Sequence, residues 1–131
     1  MMAFAAQALV ILVGAWLAGL GVWMFARPDR ALQALAAMGS RPIIHFGEMI
    51  LRTAAGIALI LAAEVSRYPM ALGIIGIFLI VSAVILMILP RRWHAAYSTW
   101  WAGRIPVHAV RLIAPVSVLG GGLLIWTMMP A

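Results

Sequence analysis

Apolar and polar segments alternate along the chain as four long apolar runs separated by three polar connections. A helix needs about 20 mostly apolar residues to cross roughly 30 Å of hydrocarbon, and each run is close to that length. The runs cover residues 3–25, 43–63, 70–89 and 107–129. The pattern predicts an all-α integral membrane protein, with four transmembrane helices in one domain over residues 1–131.

The first connection, "RPDRALQALAAMGSRP", has the pattern of a short amphipathic helix. Pro28 suits the first helical position and Gly39 suits the stop, while Leu32, Leu35 and Met38 share one face. The middle connection, "EVSRYP", is short enough to be a tight turn.

The third connection, "PRRWHAAYSTWWAGRIP", predicts a second short helix. A stripe of aromatic residues recurs on it at helical spacing: Trp93, Tyr97, Trp100 and Trp101. The opposite face carries Arg91, Arg92, His94 and Ser98. Because Trp and Tyr prefer the headgroup level of a bilayer, we expect these aromatic residues to anchor the helix in the membrane interface.

Composition agrees with a membrane protein and excludes several kinds of chemistry. The 131 residues are 66% hydrophobic and 9% charged, against about 25% charged in a soluble domain. The chain has no Cys, so disulfides and thiolate metal sites are excluded. With three acidic residues and no nucleophile–base set, we expect neither an enzyme nor a metal site. The first run lacks a basic segment before it, so we interpret it as a retained span rather than a signal peptide.

All nine basic residues are Arg, and they flank apolar runs, which argues against nucleic-acid binding. The first and third connections carry most of them: Arg27, Arg30, Arg41, Arg91, Arg92 and Arg104. The positive-inside rule places these two connections in the cytoplasm and both termini outside.

The two halves of the chain share a pattern that predicts an internal repeat of residues 3–63 and 70–129. Matching residues are separated by about 62 to 64 positions: Pro28 and Pro90, Arg30 and Arg92, Gly39 and Gly103, Pro42 and Pro106, His45 and His108, Gly56 and Gly120. Each unit crosses the membrane twice, so the predicted pseudo-two-fold axis runs along the membrane normal.

Each half, for example "GAWLAGLGVWMFARPDRAL…RPIIHFGEMILRTAAGIALIL", resembles the small two-span bacterial inner-membrane proteins of unknown function. The shared features are a Gly-rich span, a Pro with basic residues, a second Pro, and a span containing Leu-Arg and Gly. The second half departs from this pattern at Arg111-Leu112 and at Pro115. The resemblance implies a tandem duplication in a bacterial inner membrane and carries no assigned chemistry.

One apolar run contains ionisable residues, which defines the candidate site. His45, Glu48 and Arg52 are three and four residues apart, so they share a helix face, and Glu48 and Arg52 have the spacing of an ion pair. The repeat places His108 and Arg111 opposite this group. We therefore expect Glu48 to bridge Arg52 and Arg111, leaving one surplus positive charge for an anion.

Four interpretations of this cluster remain open. It fixes helix register without a ligand, it binds a phosphate or lipid headgroup, it carries protons or ions, or His45 and His108 hold a b-type haem. The sequence favours a non-enzymatic accessory, scaffold or anionic-lipid-interacting subunit without a cofactor. Its expected partners are membrane lipids and other membrane subunits or further copies of the chain. The alternative is a small oligomeric transporter or channel.

Overall fold

The computed structural model describes residues 2–129, and all regular structure in that range is helical. The elements, in chain order, are α1 (Met2–Ala26), α2 (Pro28–Ala37), α3 (Pro42–Ala62), a 3₁₀ turn (Ala63–Val65), α4 (Pro69–Ile88), α5 (Arg91–Arg104) and α6 (Val107–Thr127). The four long helices α1, α3, α4 and α6 coincide with the predicted apolar runs, and each is long and apolar enough to cross a membrane.

Proline and glycine lie at several helix boundaries, and those at Pro28 and Gly39 agree with the prediction. Pro28, Pro42 and Pro69 each occupy the first turn of a helix, where the missing N–H has no intrahelical partner to lose. Gly39 follows α2 with a φ of 74°, a left-handed conformation that favours glycine. This turn connects α2 to α3.

The long helices pack most closely as two pairs, α1 with α6 and α3 with α4, and the contact of α1 with α3 joins the pairs. Glycine makes both close crossings possible. A Cβ at Gly121 would lie 2.7 Å from the backbone nitrogen of Ala18, and a Cβ at Gly76 would lie 2.7 Å from the carbonyl oxygen of Gly56. Gly14 and Ala18 of α1 therefore serve packing within the chain, with Gly121 of the Gly120–Gly122 run as their partner.

The short helices α2 and α5 pack against each other at one end of the molecule, which we call the basic end. Every Arg except Arg67 lies on these helices, directly before α2 or α3, or on the adjoining halves of the long helices. Asp29 and Glu48 are on the same side, whereas Arg67 and Glu64 balance each other at the opposite end. The formal net charge of +6 therefore belongs entirely to the basic end.

The opposite end contains the apolar core. It is formed by buried residues of α1, α3, α4 and the end of α6: Ala6, Val10, Ala58, Leu59, Ala62, Leu72 and Met128. Gln7 Nε2 donates to the carbonyl oxygen of Met128 over 2.7 Å, and the backbone N–H of Arg67 donates to Thr127 O over 3.0 Å. These bonds attach α1 and the middle connection to the end of α6.

Candidate functional site

Glu48 and Arg52 form the ion pair that their spacing predicts. Arg52 Nη2 donates to Glu48 Oε1 one helical turn away, and about a quarter of each side chain is exposed. Arg52 Nη1 also donates to Ser82 Oγ of α4 over 3.3 Å, and Ser82 Oγ donates in turn to Leu79 O over 2.8 Å. The Arg therefore has an acidic partner and a hydroxyl partner from two helices, as an ionised group in an apolar helix requires.

A histidine from α5 extends this group towards the basic end. His94 Nδ1 lies 2.9 Å from His45 Nδ1, and His94 Nε2 lies 3.6 Å from Glu48 Oε2. His45 is 1% exposed and His94 is 7% exposed. We call His45, His94, Glu48, Arg52 and Ser82 the polar cluster; it links α3, α4 and α5.

The contact between the two imidazoles restricts their protonation. One Nδ1 must carry the proton and donate the hydrogen bond, and the other Nδ1 must be unprotonated and accept the hydrogen bond. Oε2 of Glu48 is buried and has no hydrogen-bond partner among the described residues, so it favours a proton on His94 Nε2. His94 Nδ1 is then the acceptor, and His45 Nδ1–H is the donor. Burial lowers the pKa of His94, the Glu48 carboxylate raises it in part, and His45 and Arg52 lower it further.

The predicted bridge from Glu48 to Arg111 is wrong. Arg111 is exposed, its Nε donates to Phe25 O over 3.1 Å, and its guanidinium lies 6.0 Å from the centre of the Phe25 ring. The reason is the helix pairing: α6 packs on α1, so Arg111 meets the last turn of α1 instead of α3. A cation there is favourable because the last carbonyl groups of a helix carry partial negative charge.

His45 and His108 are not brought together either, contrary to the haem interpretation. His45 is buried against His94 and Phe46, whereas His108 is exposed on the first turn of α6. The repeat relates the two residues in sequence, but α3 packs on α1 and α4 while α6 packs on α1 and α2. The buried His45 ring has no open face for a macrocycle.

The aromatic stripe of α5 faces outward. All four of its side chains are exposed: Trp93, Tyr97, Trp100 and Trp101. Arg104 lies 4.2 Å above the centre of the Trp100 ring. Arg91 Nη1 donates to Gly39 O over 3.0 Å and to Ser40 O over 2.7 Å, so it joins α5 to the turn after α2. The other basic residues of the two connections are exposed: Arg27, Arg30, Arg41 and Arg92.

Sequence reasoning missed His94 and Ser82 as members of the polar cluster. It assigned His94 correctly to the face of α5 opposite the aromatic stripe, and the structure shows that His94 and Ser98 of this face are buried while Arg92 is exposed. The available signal was the position of His94 on the side of α5 away from the exposed aromatic stripe, one turn from Ser98, which is also buried. Ser82 gave no comparable signal in its apolar run.

The polar cluster can bind and exchange protons, and it can hold helices together. In the part of the chain that the structure describes, no group of three or more His, Asp or Glu side chains converges on a possible metal position. The chain matches no family model, no curated protein and no solved structure.

Proposed function

We propose that this protein is a non-enzymatic membrane subunit, an accessory or scaffold protein that binds anionic lipids at its basic end. The observation that carries the proposal is the position of the charge: the whole net charge of +6 is at one end, beside an exposed aromatic stripe. Trp and Tyr at headgroup depth and Arg next to lipid phosphates are the usual arrangement at a membrane interface.

The same charge distribution supports a bacterial inner-membrane protein with its basic end in the cytoplasm and both termini outside. Each Arg near an anionic leaflet contributes about 1 kcal/mol of attraction. Arg30, Arg41 and Arg92 are exposed, so their guanidinium groups are available to lipid phosphates at this end.

Native mass spectrometry of the purified protein with added phosphatidylglycerol or phosphatidylcholine tests lipid binding. Phosphatidylglycerol should bind preferentially, and Arg92→Gln should weaken its binding about fivefold, as expected for the loss of about 1 kcal/mol. The matched control is Arg67→Gln at the opposite end, with folding of both variants checked by circular dichroism. Equal binding of the two lipids, or equal losses in the two variants, contradicts the proposal.

We further infer that the chain consists of two duplicated hairpins, α1–α3 and α4–α6. Support comes from the helix pairing. In the two repeats α1 corresponds to α4 and α3 corresponds to α6, so the α1–α6 pair is the counterpart of the α4–α3 pair. Glycine makes the close crossing in both pairs, Gly14 with Gly121 in one and Gly76 with Gly56 in the other. Gly121 therefore takes the position of Gly56, one residue after the Gly120 that the sequence match predicts. The short helices α2 and α5 are counterparts in the two repeats, and they contact each other. In this arrangement each closely packed pair takes one helix from each repeat.

A second candidate function is a small oligomeric transporter or channel that uses the carboxylate of Glu48. The observation that favours it is the buried Oε2 of Glu48, which has no hydrogen-bond partner among the described residues. An ionisable group within an apolar helix is a common proton carrier. Proton flux into vesicles containing the protein, abolished by Glu48→Gln, would favour this candidate over the lipid-binding subunit.

A further inference from the structure

The interface between α3 and α5 contains two imidazole rings that are both shielded from solvent. His45 is 1% exposed, His94 is 7% exposed, and their Nδ1 atoms are 2.9 Å apart. A hydrogen bond between two imidazole nitrogens contains one proton, so the contact exists only while one Nδ1 remains unprotonated.

Adding protons to this pair works against the contact in two steps. The first added proton creates an imidazolium in a buried position, which costs free energy unless an anion compensates it. The nearest anion is Glu48, and its Oε1 already accepts from Arg52. With a second added proton both Nδ1 atoms would carry N–H and both rings would be positively charged. No acceptor would remain and the rings would repel each other, so the hydrogen bond is lost.

The charged and titratable groups that act on His94 are His45, Glu48 and Arg52, all on α3. The other helices packed against α5 add none that face it: the α4 helix has no ionisable side chain, and Asp29 and Arg30 at the start of α2 are exposed. On α5 itself, Arg91 bonds the carbonyl groups of the Gly39 turn.

Among the described polar side-chain contacts of α5, only those of His94 reach a long helix. The other described hydrogen bonds of α5 reach only the first connection: Arg91 to Gly39 and Ser40, and Thr99 Oγ1 to Ala36 O over 3.5 Å. The contact of His94 with His45 and Glu48 therefore connects the aromatic helix to the apolar part of the molecule.

We propose that His45, His94 and Glu48 form a buried proton-binding site that controls the docking of α5 on α3. The uncharged imidazole pair holds α5 against α3, and protonation separates these two helices while α5 keeps its packing on α2. Burial lowers the pKa of His94 in the docked state, and a His94 that has left α3 recovers its ordinary proton affinity. Protons therefore bind more strongly to the undocked state and favour it at low pH. The docked state is fully populated above the ordinary histidine pKa of 6.5 and is lost as the pH falls below it.

Spin-label distance measurements test this proposal in the full chain, which has no native Cys. Labels on cysteines at Ile50, exposed on α3, and Ala96, exposed on α5, report the separation of the two helices. The distribution should be single and narrow at about pH 8 and should be mostly replaced by a broader, longer one at about pH 5, across the range where imidazoles titrate.

Single His→Gln substitutions show which residues produce the pH-dependent change in distance. His94→Gln and His45→Gln each remove one imidazole ring of the pair and should abolish most of the change with pH. His108→Gln is the matched control, because His108 is an exposed His at the same end and lies outside the polar cluster. A distribution that is unchanged between the two pH values, or a response lost in His108→Gln and retained in the other two variants, overturns the proposal.

A second measurement applies even if both cluster variants leave α5 undocked at every pH. The chain has three His residues, so nitrogen-15 labelling of histidine gives a simple spectrum in the parent protein. We expect scalar coupling between the Nδ1 atoms of His45 and His94 at about pH 8 and its loss at about pH 5. No coupling at the higher pH, or coupling that persists at the lower pH, overturns the proposal.

Discussion

At the residue scale, the two oxygens of Glu48 have different surroundings. Oε1 accepts from Arg52, whereas Oε2 is buried beside His94 Nε2 without a hydrogen bond among the described residues. One carboxylate therefore balances a cation within α3 and also orients a ring on α5. This double contact makes Glu48 the residue whose loss should affect the polar cluster most.

Glu48→Gln should lower the free energy of unfolding in detergent by about 1 to 3 kcal/mol, because it leaves Arg52 without its anion. The double change Glu48→Gln with Arg52→Met should recover part of that loss, since it also removes the unpaired cation. Chemical denaturation of the parent, single and double variants measures both effects. A single variant as stable as the parent would show that the fold does not need the ion pair.

A second prediction at this scale concerns Gly39. An alanine there would occupy the left-handed region at a φ of 74°, and its Cβ would lie 2.8 Å from the backbone nitrogen of Ala95. Gly39→Ala should lower the melting temperature and displace α5, at a cost of about 1 to 3 kcal/mol. The control is Gly103→Ala, where an added Cβ has open space and should be neutral or slightly stabilising. Equal melting temperatures for the two variants would contradict this account.

At the element scale, two glycine crossings determine how closely the long helices approach. Without a hydrophobic force between helices in lipid, packing distance contributes much of their association energy. Only one glycine of each glycine-rich motif is in contact: Gly121 touches α1 while Gly120 and Gly122 have open surroundings, and Gly76 touches α3 while Gly73 does not.

This difference predicts position-specific effects along one helix face. Gly121→Ala and Gly76→Ala should each destabilise the protein by about 1 to 3 kcal/mol, because the new methyl group meets backbone atoms that cannot move aside. Gly122→Ala and Gly73→Ala are the controls in the same motifs and should have little effect. Thermal unfolding in detergent ranks the four variants; similar values for contact and control positions would show that the crossings are wrongly assigned.

At the scale of the whole molecule, charge separates the two ends. The basic end carries the net charge, the aromatic stripe and most of the polar cluster, while the opposite end contains the apolar core. If the molecule spans a bacterial inner membrane, the positive-inside rule determines which end faces the cytoplasm.

Cysteine labelling in intact cells measures this orientation. Glu64→Cys lies on the exposed 3₁₀ turn of the opposite end, and Ala96→Cys lies on exposed α5 of the basic end. An impermeant thiol reagent should modify Glu64→Cys in intact cells and Ala96→Cys only after lysis. The reverse pattern would place the basic end and α5 outside.

The sequence by itself determined the features that depend on neighbouring residues. The four apolar runs, the two short helices and their Pro and Gly boundaries follow from local composition, and the Glu48–Arg52 pair follows from helical periodicity. Such features require no knowledge of the partner helix, because a helix satisfies its own backbone hydrogen bonds and brings residues four apart onto one face.

Only the tertiary structure decided which helices meet. Several apolar helices offer similar surfaces, so the sequence could not show that α6 packs on α1, which takes Arg111 away from Glu48. Nor could it show that α5 buries His94 and places it against His45. These contacts join residues far apart in the chain, and they depend on close backbone approach at a few glycines, which no local pattern specifies.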